Sequence, residues 1–259
     1  MADTMAATNG APGPLLAVCL RITDLRPEVD PLTGVVTRDR LGVALAAADG
    51  AALEHALRLA DAWSGRVVAV AAGPPSIEPV LREVAALGVA VVRLPEAGED
   101  DAHRYVAELA GDERDLARRL VAALAPFGRP DLVLCGDRSA DRGTGVLPAY
   151  LAHELGAAQA LGLVALAAAE GDGARSLVVE RRLDGGWRER LAVPLPAVCS
   201  VEGAGVRLRR ASLAGALDAT ADAVPLGMRT GLVVGAHVEG DDDRARRRGS
   251  SAPRTHGAR

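Results

Sequence analysis

Short apolar runs alternate along the first 155 residues with stretches whose apolar residues recur at helical spacing. The runs predict four buried strands, at Leu15–Ile22, Arg66–Ala72, Val89–Leu94 and Asp131–Cys135. The other stretches predict helices, with Asp49 as the N-cap of the first, at Ala51–Trp63, Ile77–Leu87, about Ala102–Ala125 and Thr144–Leu155. This order predicts an α/β fold in which a mostly parallel sheet is flanked by helices.

The pattern changes after Gly156. Strand-like segments follow at Ala160–Ala169, Arg175–Leu183, Gly186–Val193 and Ala197–Val201. The Asp184-Gly185 turn signal favours a hairpin, so we expect a C-terminal β-hairpin extension. One domain is predicted over residues 15–240, preceded by a flexible leader at 1–14 and followed by a disordered Arg-rich tail at 241–259.

The composition excludes several classes of function. Aromatic residues make up 2% of the 259 residues, and the 30 basic residues are all arginine within a net charge of -4. A nucleic-acid surface with interleaved aromatics is therefore disfavoured, and so is a protein that holds a flavin between its own rings. The apolar runs are shorter than the ~20 residues of a membrane span, so no membrane insertion is predicted.

The cysteines and histidines predict no chemistry of their own. Cys19, Cys135 and Cys199 are far apart inside apolar runs, which predicts reduced core thiols in a cytoplasmic protein. The five histidines show no metal-ligand spacing, and we expect His55 and His153 on solvated helix faces. These residues predict no metal site and no catalytic constellation.

A polar, glycine-bearing loop joins the fourth strand to the fourth helix, in the sequence LVLCGDRSADRGTG at residues 132–145. Ligands of open α/β sheets bind beyond the carboxyl ends of the strands, where helix N-termini attract anions. Gly136 and Gly145 would let a ligand approach the backbone, and Asp141 could accept from ribose or adenine. Ser139 and Thr144 could donate to phosphate oxygens. An ordinary strand-to-helix loop, capped by Thr144 or Asp141, is the alternative.

A second glycine turn, Ala72-Gly73-Pro74, follows the second strand. We expect it beside the first loop, because parallel strands end at the same edge of a sheet. By itself this turn fits a proline-stiffened connection equally well. The two loops together favour a ligand site.

Five stretches, taken together, resemble the beta subunit of electron transfer flavoproteins, and the chain is identified as a divergent bacterial member of that family. They are AVCLRITDL from Ala17, DGAALEHALRL from Asp49, VVAVAAGPP from Val67, GDRSADRGTG…LAHELG from Gly136 and VVERRLDGG…LPAVCSVEG…RLRRASL from Val178. The resemblance implies a fold of the adenine-nucleotide-binding type. It also implies a heterodimer with an alpha subunit that carries electrons and is not an enzyme.

The resemblance further implies cofactors and site residues. The beta chain of that family holds AMP, or a second FAD in electron-bifurcating members, and the redox FAD is shared with the alpha subunit. The positions that match nucleotide contacts are Val18, Asp49, Ala72, Gly73, Gly136, Arg138, Ser139, Ala140, Asp141, Thr144 and Gly145. Positions close to the flavin are matched by Leu25 and Ala48. A segment that docks a flavin-linked dehydrogenase is matched by Arg209, Ala211, Ser212 and Leu213, and a quinone-linked oxidoreductase takes the electrons.

Three departures from the family occur at these positions. Ala46-Ala47-Ala48 replaces an Asn-Pro-Phe, Leu25 replaces a common tyrosine, and the lysine-rich stretch after the docking leucine is absent. They indicate a dedicated partner and leave two alternatives open. One is a non-redox adenine-nucleotide-binding module with a regulatory or structural role. The weaker one is a nucleotide-activating enzyme, since no base or metal-ligand set accompanies the loop.

Overall fold

The structure is a computed structural model that describes residues 13–37, 42–95, 113–169, 175–221 and 232–234. The predicted leader lies outside these residues except for Gly13 and Pro14, and the predicted Arg-rich tail lies wholly outside them. The helix expected at about Ala102–Ala125 is described from Glu113 onward, and there it is helical.

Aliphatic runs form the central strands, and amphipathic stretches form the helices that cover them. The strands are β1 (Leu15–Leu20), β2 (Ile22–Asp24), β3 (Glu28–Val29), β4 (Val36–Thr37), β5 (Val43–Leu45), β6 (Arg66–Ala72), β7 (Ala90–Leu94), β8 (Leu132–Gly136), β9 (Ala158–Ala168), β10 (Ser176–Arg182), β11 (Arg188–Pro194), β12 (Ala197–Val201) and β13 (Leu232–Val234). The helices are α1 (Ala47–Trp63), α2 (Glu78–Ala85), α3 (Glu113–Leu124), α4 (Leu147–Leu155) and α5 (Leu213–Ala221).

Nine of the described strands form one sheet, in the order β11-β10-β9-β12-β8-β1-β6-β7-β13. The six strands from β9 to β7 run parallel, whereas β10, β11 and β13 join antiparallel at the two edges. The predicted α/β fold, with its mostly parallel sheet and its β10–β11 hairpin, is confirmed. β12 follows the hairpin in the chain but inserts between β8 and β9, deep in the parallel part.

Helices cover both faces of the parallel sheet. Because successive side chains of a strand point to opposite faces, β1 contributes to two cores. Leu16 and Val18 pack on the side of α1 and α2, whereas Leu15 and Cys19 pack on the side of α3 and α4. Burial on both faces explains why these strands are apolar throughout and show no polar alternation.

The connection between β1 and α1 is more structured than the sequence predicts. Its described part forms two short antiparallel ribbons, β2 with β5 and β3 with β4. The carboxylate of Asp30 accepts the N–H groups of Leu32 and Thr33, which closes the turn of the second ribbon. Strands of two or three residues are too short to produce a recognisable period.

Two helices begin at other residues than predicted. α1 begins at Ala47 and has no side-chain cap, so the assignment of Asp49 as its N-cap is wrong. The Asp49 side chain is instead buried within the first turn of the helix. α4 begins at Leu147 and not at Thr144, with Pro148 in its first turn, where a missing N–H is tolerated.

The side of α1 that faces away from the sheet is also buried, which the sequence pattern does not reveal. His55 is buried, with 6% of its surface exposed, so its predicted solvation is wrong. The segment around Leu208 and Arg209 packs against Gly50 and Glu54 of the same helix. Burial is accordingly the largest influence on His55 and lowers its pKa. His153 of α4 is exposed, as predicted.

Candidate functional site

A cleft opens at the carboxyl edge of the parallel sheet, where β1, β6 and β8 end. The loop after β8 and the first turns of α3 and α4 form its walls. Open α/β sheets bind ligands at this edge. Of the residues predicted for a nucleotide, seven line the cleft: Asp49, Ala72, Gly136, Arg138, Ser139, Thr144 and Gly145.

The other four predicted residues lie off the cleft lining. Val18 packs into the core on the α1 side, because its neighbour Cys19 is the residue of β1 that faces the cleft. Gly73 lies against Ile77, and Ala140 is exposed on the loop. Asp141 does not line the cleft itself. It binds the side chain of a cleft-wall residue that was not predicted from the sequence.

That residue is Arg21, which lies between β1 and β2 in the wall of the cleft. Its guanidinium pairs with Asp141, with Nε donating to Oδ1 at 3.2 Å and Nη2 donating to Oδ2. Burial raises the pKa of Asp141, but the hydrogen bonds and charge of Arg21 outweigh it and leave that pKa below its ordinary value. The pair ties the loop after β8 to the end of β1. A basic residue at the end of a buried strand is the signal that points to it.

Asp49 is a buried carboxyl group in the cleft wall, with 3% of its surface exposed. Its Oδ1 accepts the N–H of Arg21 at 3.2 Å, and the N–H of Gly136 also stabilises the carboxylate. Oδ2 is buried and has no hydrogen-bond partner among the described residues. Burial is the dominant influence and raises the pKa of Asp49 to about 7, against the opposing effect of these N–H groups and of Arg21.

The loop after β8 is held in shape by its own backbone. The N–H of Ser139 donates to the carbonyl of Thr144 at 2.8 Å, and the N–H of Gly143 donates to the carbonyl of Ser139 at 2.9 Å. A Cβ at Gly145 would lie 2.6 Å from the carbonyl oxygen of Asp137, so closure of the loop itself requires glycine there. This reason is independent of any ligand.

Hydrogen-bond donors line the side of the cleft formed by this loop. Arg138 and Arg142 follow β8, and Nε of Arg142 is buried without a hydrogen-bond partner among the described residues. The hydroxyls of Ser139 and Thr144 lie 3.4 Å apart. That of Thr144 donates to Glu113 at the start of α3, an acidic wall residue that the sequence reasoning did not include. Guanidinium and hydroxyl groups in one wall suit the oxygen atoms of an anion.

The floor of the cleft contains two thiols. Cys19 and Cys135 are paired in register on β1 and β8. The contact with Cys19, together with burial, raises the pKa of the Cys135 thiol. Cys199 lies in the core on the other face, where burial raises its pKa to about 12. All three cysteines are free and buried, as predicted for core thiols.

Within the described ranges, no three His, Cys, Asp or Glu side chains come together as a metal site requires. None of the helices in these ranges is long and apolar enough to cross a bilayer.

Comparison with known proteins assigns the family. Residues 33–224 match the electron transfer flavoprotein domain. The chain belongs to the electron transfer flavoprotein family, in its beta-subunit branch.

Two proteins named FixA and one named as a beta subunit are similar to this family member. Protein FixA of Rhizobium meliloti (strain 1021) is 30% identical over 206 residues, which cover 79% of this chain and 68% of that protein. Protein FixA of Azorhizobium caulinodans is 32% identical over 196 residues, 74% of this chain and 66% of that protein. Electron transfer flavoprotein subunit beta of Thermoanaerobacterium thermosaccharolyticum is 29% identical over 173 residues, 66% of this chain and 60% of that protein. The chain therefore spans about two-thirds of the length of these relatives.

In this electron transfer flavoprotein family member, the two positions predicted close to a flavin lie near the same edge of the sheet. Leu25 follows β2 and is 40% exposed, and its N–H donates to the carbonyl of Gly42 at 3.1 Å. Ala48 lies in the first turn of α1 beside the end of β8. A Cβ added to Gly136 would lie 3.1 Å from the Cβ of Ala48. Within the described part of the chain, no aromatic side chain lines the cleft.

Arg209, the first of the four predicted docking residues, is bound within the molecule. Its backbone N–H and its Nε both donate to Oε2 of Glu54 at 3.0 Å, and Nη1 donates to Asp61 at 3.1 Å. Glu54 is 4% exposed and also accepts from Arg58 of its own helix. Burial raises the pKa of Glu54, but the two arginines more than compensate and lower it overall. Arg209 thus fastens the segment to α1.

The other three docking positions lie at the start of α5. Ala211 is partly buried, and the Ser212 hydroxyl accepts the N–H of Gly215 at 3.0 Å, which caps the first turn of the helix. Leu213 is 77% exposed, and Leu217, one turn later, is 61% exposed. Residues four apart lie on one helix face, so the two leucines form a single exposed apolar patch.

Proposed function

We propose that this chain is the beta half of an electron carrier. With an alpha subunit, it carries electrons from a flavin-linked dehydrogenase to a quinone-linked acceptor and is not itself an enzyme. The observation that supports this most strongly is the match to the electron transfer flavoprotein domain over residues 33–224, together with relatives that include a named beta subunit. Free, buried thiols fit a cytoplasmic location.

The cleft is proposed to hold an adenine nucleotide, either AMP or the adenine half of a second FAD. The phosphate oxygens would be bound by Arg138, Arg142 and the hydroxyl groups of Ser139 and Thr144. Oδ2 of Asp49 and Nε of Arg142 are buried polar atoms without a hydrogen-bond partner among the described residues, and a bound polar molecule could satisfy both. Thr144 would exchange its bond to Glu113 for one to the ligand.

The redox FAD is proposed to be held mainly by the alpha subunit, beside Leu25 and Ala48 of this chain. A bound flavin supplies the electron-transfer chemistry, whereas the protein binds it and tunes its surroundings. This chain offers only aliphatic side chains at these two positions. The groups that stack on the ring and hydrogen-bond to it must therefore come from the partner.

The exposed patch of Leu213 and Leu217 is the proposed contact for the dehydrogenase. Apolar side chains that are exposed together on a helix commonly mark interaction sites. Arg209 would contribute by fastening the segment, since its guanidinium is already paired with Glu54 and Asp61.

Co-expression with an alpha subunit tests the electron-carrier function. We expect a stable heterodimer with the visible spectrum of bound FAD, and release of AMP or of a second FAD when the purified complex is denatured. A colourless heterodimer that FAD does not reconstitute would contradict the function. The non-redox alternative predicts that this chain binds adenine nucleotide alone and recruits no alpha subunit, so a pull-down with an alpha-type flavoprotein separates the two.

A further inference from the structure

One carboxyl oxygen of Asp49 forms no hydrogen bond within the described part of the chain. Oδ1 of Asp49 accepts the N–H of Arg21 at 3.2 Å, but Oδ2 has no partner among the described residues although it is buried. Folding therefore leaves one polar atom of this side chain without a hydrogen bond, in the wall of a cleft. A buried polar atom that folding leaves unpaired calls for a partner from outside the chain, such as a ligand or an ordered water.

We propose that Asp49 is present as the neutral acid when the cleft binds its nucleotide, and that its Oδ2–H donates a hydrogen bond to an acceptor atom of the nucleoside, so that binding weakens as the pH rises. This inference rests on the proposed function, since it assumes that the cleft binds an adenine nucleotide. It adds that the site is regulated by protons and assigns this regulation to one residue.

The arrangement of charges around Asp49 favours the neutral acid. The nearest cation, the guanidinium of Arg21, is directed to Asp141 by two hydrogen bonds. The other titratable or charged groups that face this part of the cleft come from β1, β8, the loop and α3, and they are Cys19, Cys135, Arg138, Arg142 and Glu113. None of them donates a hydrogen bond to the carboxyl group in the described structure, and Glu113 adds negative charge to the same cleft.

Burial acts in the same direction. A carboxylate removed from water is penalised unless a cation or several donors compensate, and here desolvation exceeds the compensation. The resulting pKa of about 7 lies within the physiological range, so a modest change of pH alters the charge of the group.

The hydrogen bonds already present determine which oxygen carries the proton. Oδ1 is engaged as an acceptor by a backbone N–H, so the proton of the neutral acid belongs on Oδ2. A hydroxyl donor in the wall of the cleft complements the ring nitrogens of a base and the oxygens of a ribose, which are acceptors. Above the pKa the same atom becomes a second acceptor with a negative charge, which repels these atoms and the phosphate alike.

The test measures the affinity of the full chain, freed of bound nucleotide, for adenosine at pH values from 6 to 8.5. Adenosine is the probe because it lacks the phosphate, whose own second pKa is near 6. If only the protonated form binds, the dissociation constant rises as the protonated fraction falls, by about tenfold between pH 6 and pH 8 for a pKa of about 7.

Asp49→Asn distinguishes a donor from a negative charge. The amide oxygen can continue to accept the N–H of Arg21, and the NH₂ group then occupies the place of the Oδ2–H donor. We expect this variant to bind adenosine within about threefold of the wild type at pH 6 and to lose the pH dependence. Asp49→Ala should bind at least about tenfold more weakly at pH 6, because the donor is gone.

Asp131→Asn is the matched control. Asp131 also accepts a backbone N–H, that of Leu15, but at the opposite edge of the sheet, so this variant should keep both the affinity and the pH profile of the wild type. Wild-type affinity that does not change with pH, or an Asp49→Asn variant as weak as Asp49→Ala, would overturn the proposal. A wild-type chain that binds no adenosine at any pH would instead contradict nucleotide binding itself.

Discussion

Helix α1 buries two carboxyl groups within six residues, and the protein treats them in opposite ways. Asp49 and Glu54 are 3% and 4% exposed, so both side chains are buried. Glu54 is bound by Arg209 and Arg58, and its pKa is lowered. Oδ2 of Asp49 has no hydrogen-bond partner in the described part of the chain, and burial raises the pKa of Asp49 to about 7.

The difference shows that burial alone does not decide what a carboxyl group does. A buried charge that is fully paired becomes a structural fastening, because any other partner would have to displace the arginines. A buried carboxyl group that folding leaves incompletely paired is available to a ligand. A change in its protonation state then alters the affinity for that ligand. The two groups therefore predict opposite responses to substitution and to pH.

Asp49→Asn should give the largest effect on stability. Because the pKa of Asp49 is raised from 3.8 to about 7 on folding, its contribution to stability is fully present below 3.8 and is lost as the pH rises through 7. Asparagine has no charge to bury, so at pH 8 the variant should be more stable than the wild type by up to about 4 kcal/mol. Urea unfolding followed by circular dichroism at pH 5 and pH 8 measures this, and an equal difference at the two pH values would contradict the prediction.

Glu54→Gln should act in the opposite direction. Because folding lowers the pKa of Glu54, its stabilising contribution is present above the unfolded value of 4.5 and is lost as the pH falls below it. At pH 7 we expect the free energy of unfolding to fall by about 2 kcal/mol, since charged hydrogen bonds to Arg209 and Arg58 are weakened. The control is Asp61→Asn, which alters the solvent-exposed partner of Arg209 and should change stability by less than about 0.5 kcal/mol.

Asp141→Asn should lower the pKa of Asp49, in the direction in which the pKa of Glu54 is already shifted. Removing the charge of Asp141 lets the guanidinium of Arg21 turn toward Asp49, which favours the ionised form and lowers its pKa. We expect the midpoint of the pH-dependent loss of stability to move down by about one pH unit, equivalent to about 1.4 kcal/mol. In the double variant with Asp49→Asn no such shift should occur, and a shift that persists there would assign the effect to another group.

Arg209→Ala and Leu213→Ala should have the smallest effects on stability. Together they distinguish the attachment of this segment to α1 from its proposed contact with the dehydrogenase. Arg209→Ala removes the side-chain bonds to Glu54 and Asp61 and should cost about 1 kcal/mol, because Arg58 and the backbone N–H of residue 209 still bind Glu54. Leu213 is exposed, so its truncation should alter stability by less than about 0.5 kcal/mol. In the heterodimer with an alpha subunit, Leu213→Ala should slow reduction by the dehydrogenase at unchanged flavin content. Equal loss of flavin and rate would indicate a structural role for Leu213.

The parallel sheet could be predicted because its strands are buried on both faces, so their sequences are mostly continuous aliphatic runs. Their lengths are short, and glycine or proline follows the predicted strands that end at Ala72, Leu94 and Cys135, so the alternation of strands and helices can be recognised in the sequence. The insertion of β12 between β8 and β9 could not be predicted. Its partners are selected by long-range pairing, and the apolar pattern of Ala197–Val201 would suit any interior position.

The candidate site was predictable in part for a related reason. Loop residues that follow a strand, such as Ser139 and Thr144, can be located because strand ends share one edge. Arg21 also follows a strand directly and could have been located in the same way, whereas Glu113 enters the cleft from the start of α3, where no local pattern reveals it. The pairing of Glu54 with Arg209 was equally hidden, because the two residues are 155 positions apart.

The position of β12 also has a consequence for biosynthesis. β8, which carries the cleft loop, is flanked by β1 from the start of the chain and by β12, which ends at Val201. While the chain emerges from the ribosome, one side of β8 stays unpaired until that residue has left the exit tunnel. An exposed aliphatic strand edge recruits other strands, so during this interval the nascent chain is open to edge-to-edge pairing. A chain that stops before Ala197 would contain every residue of the cleft lining and still present β8 as an open edge.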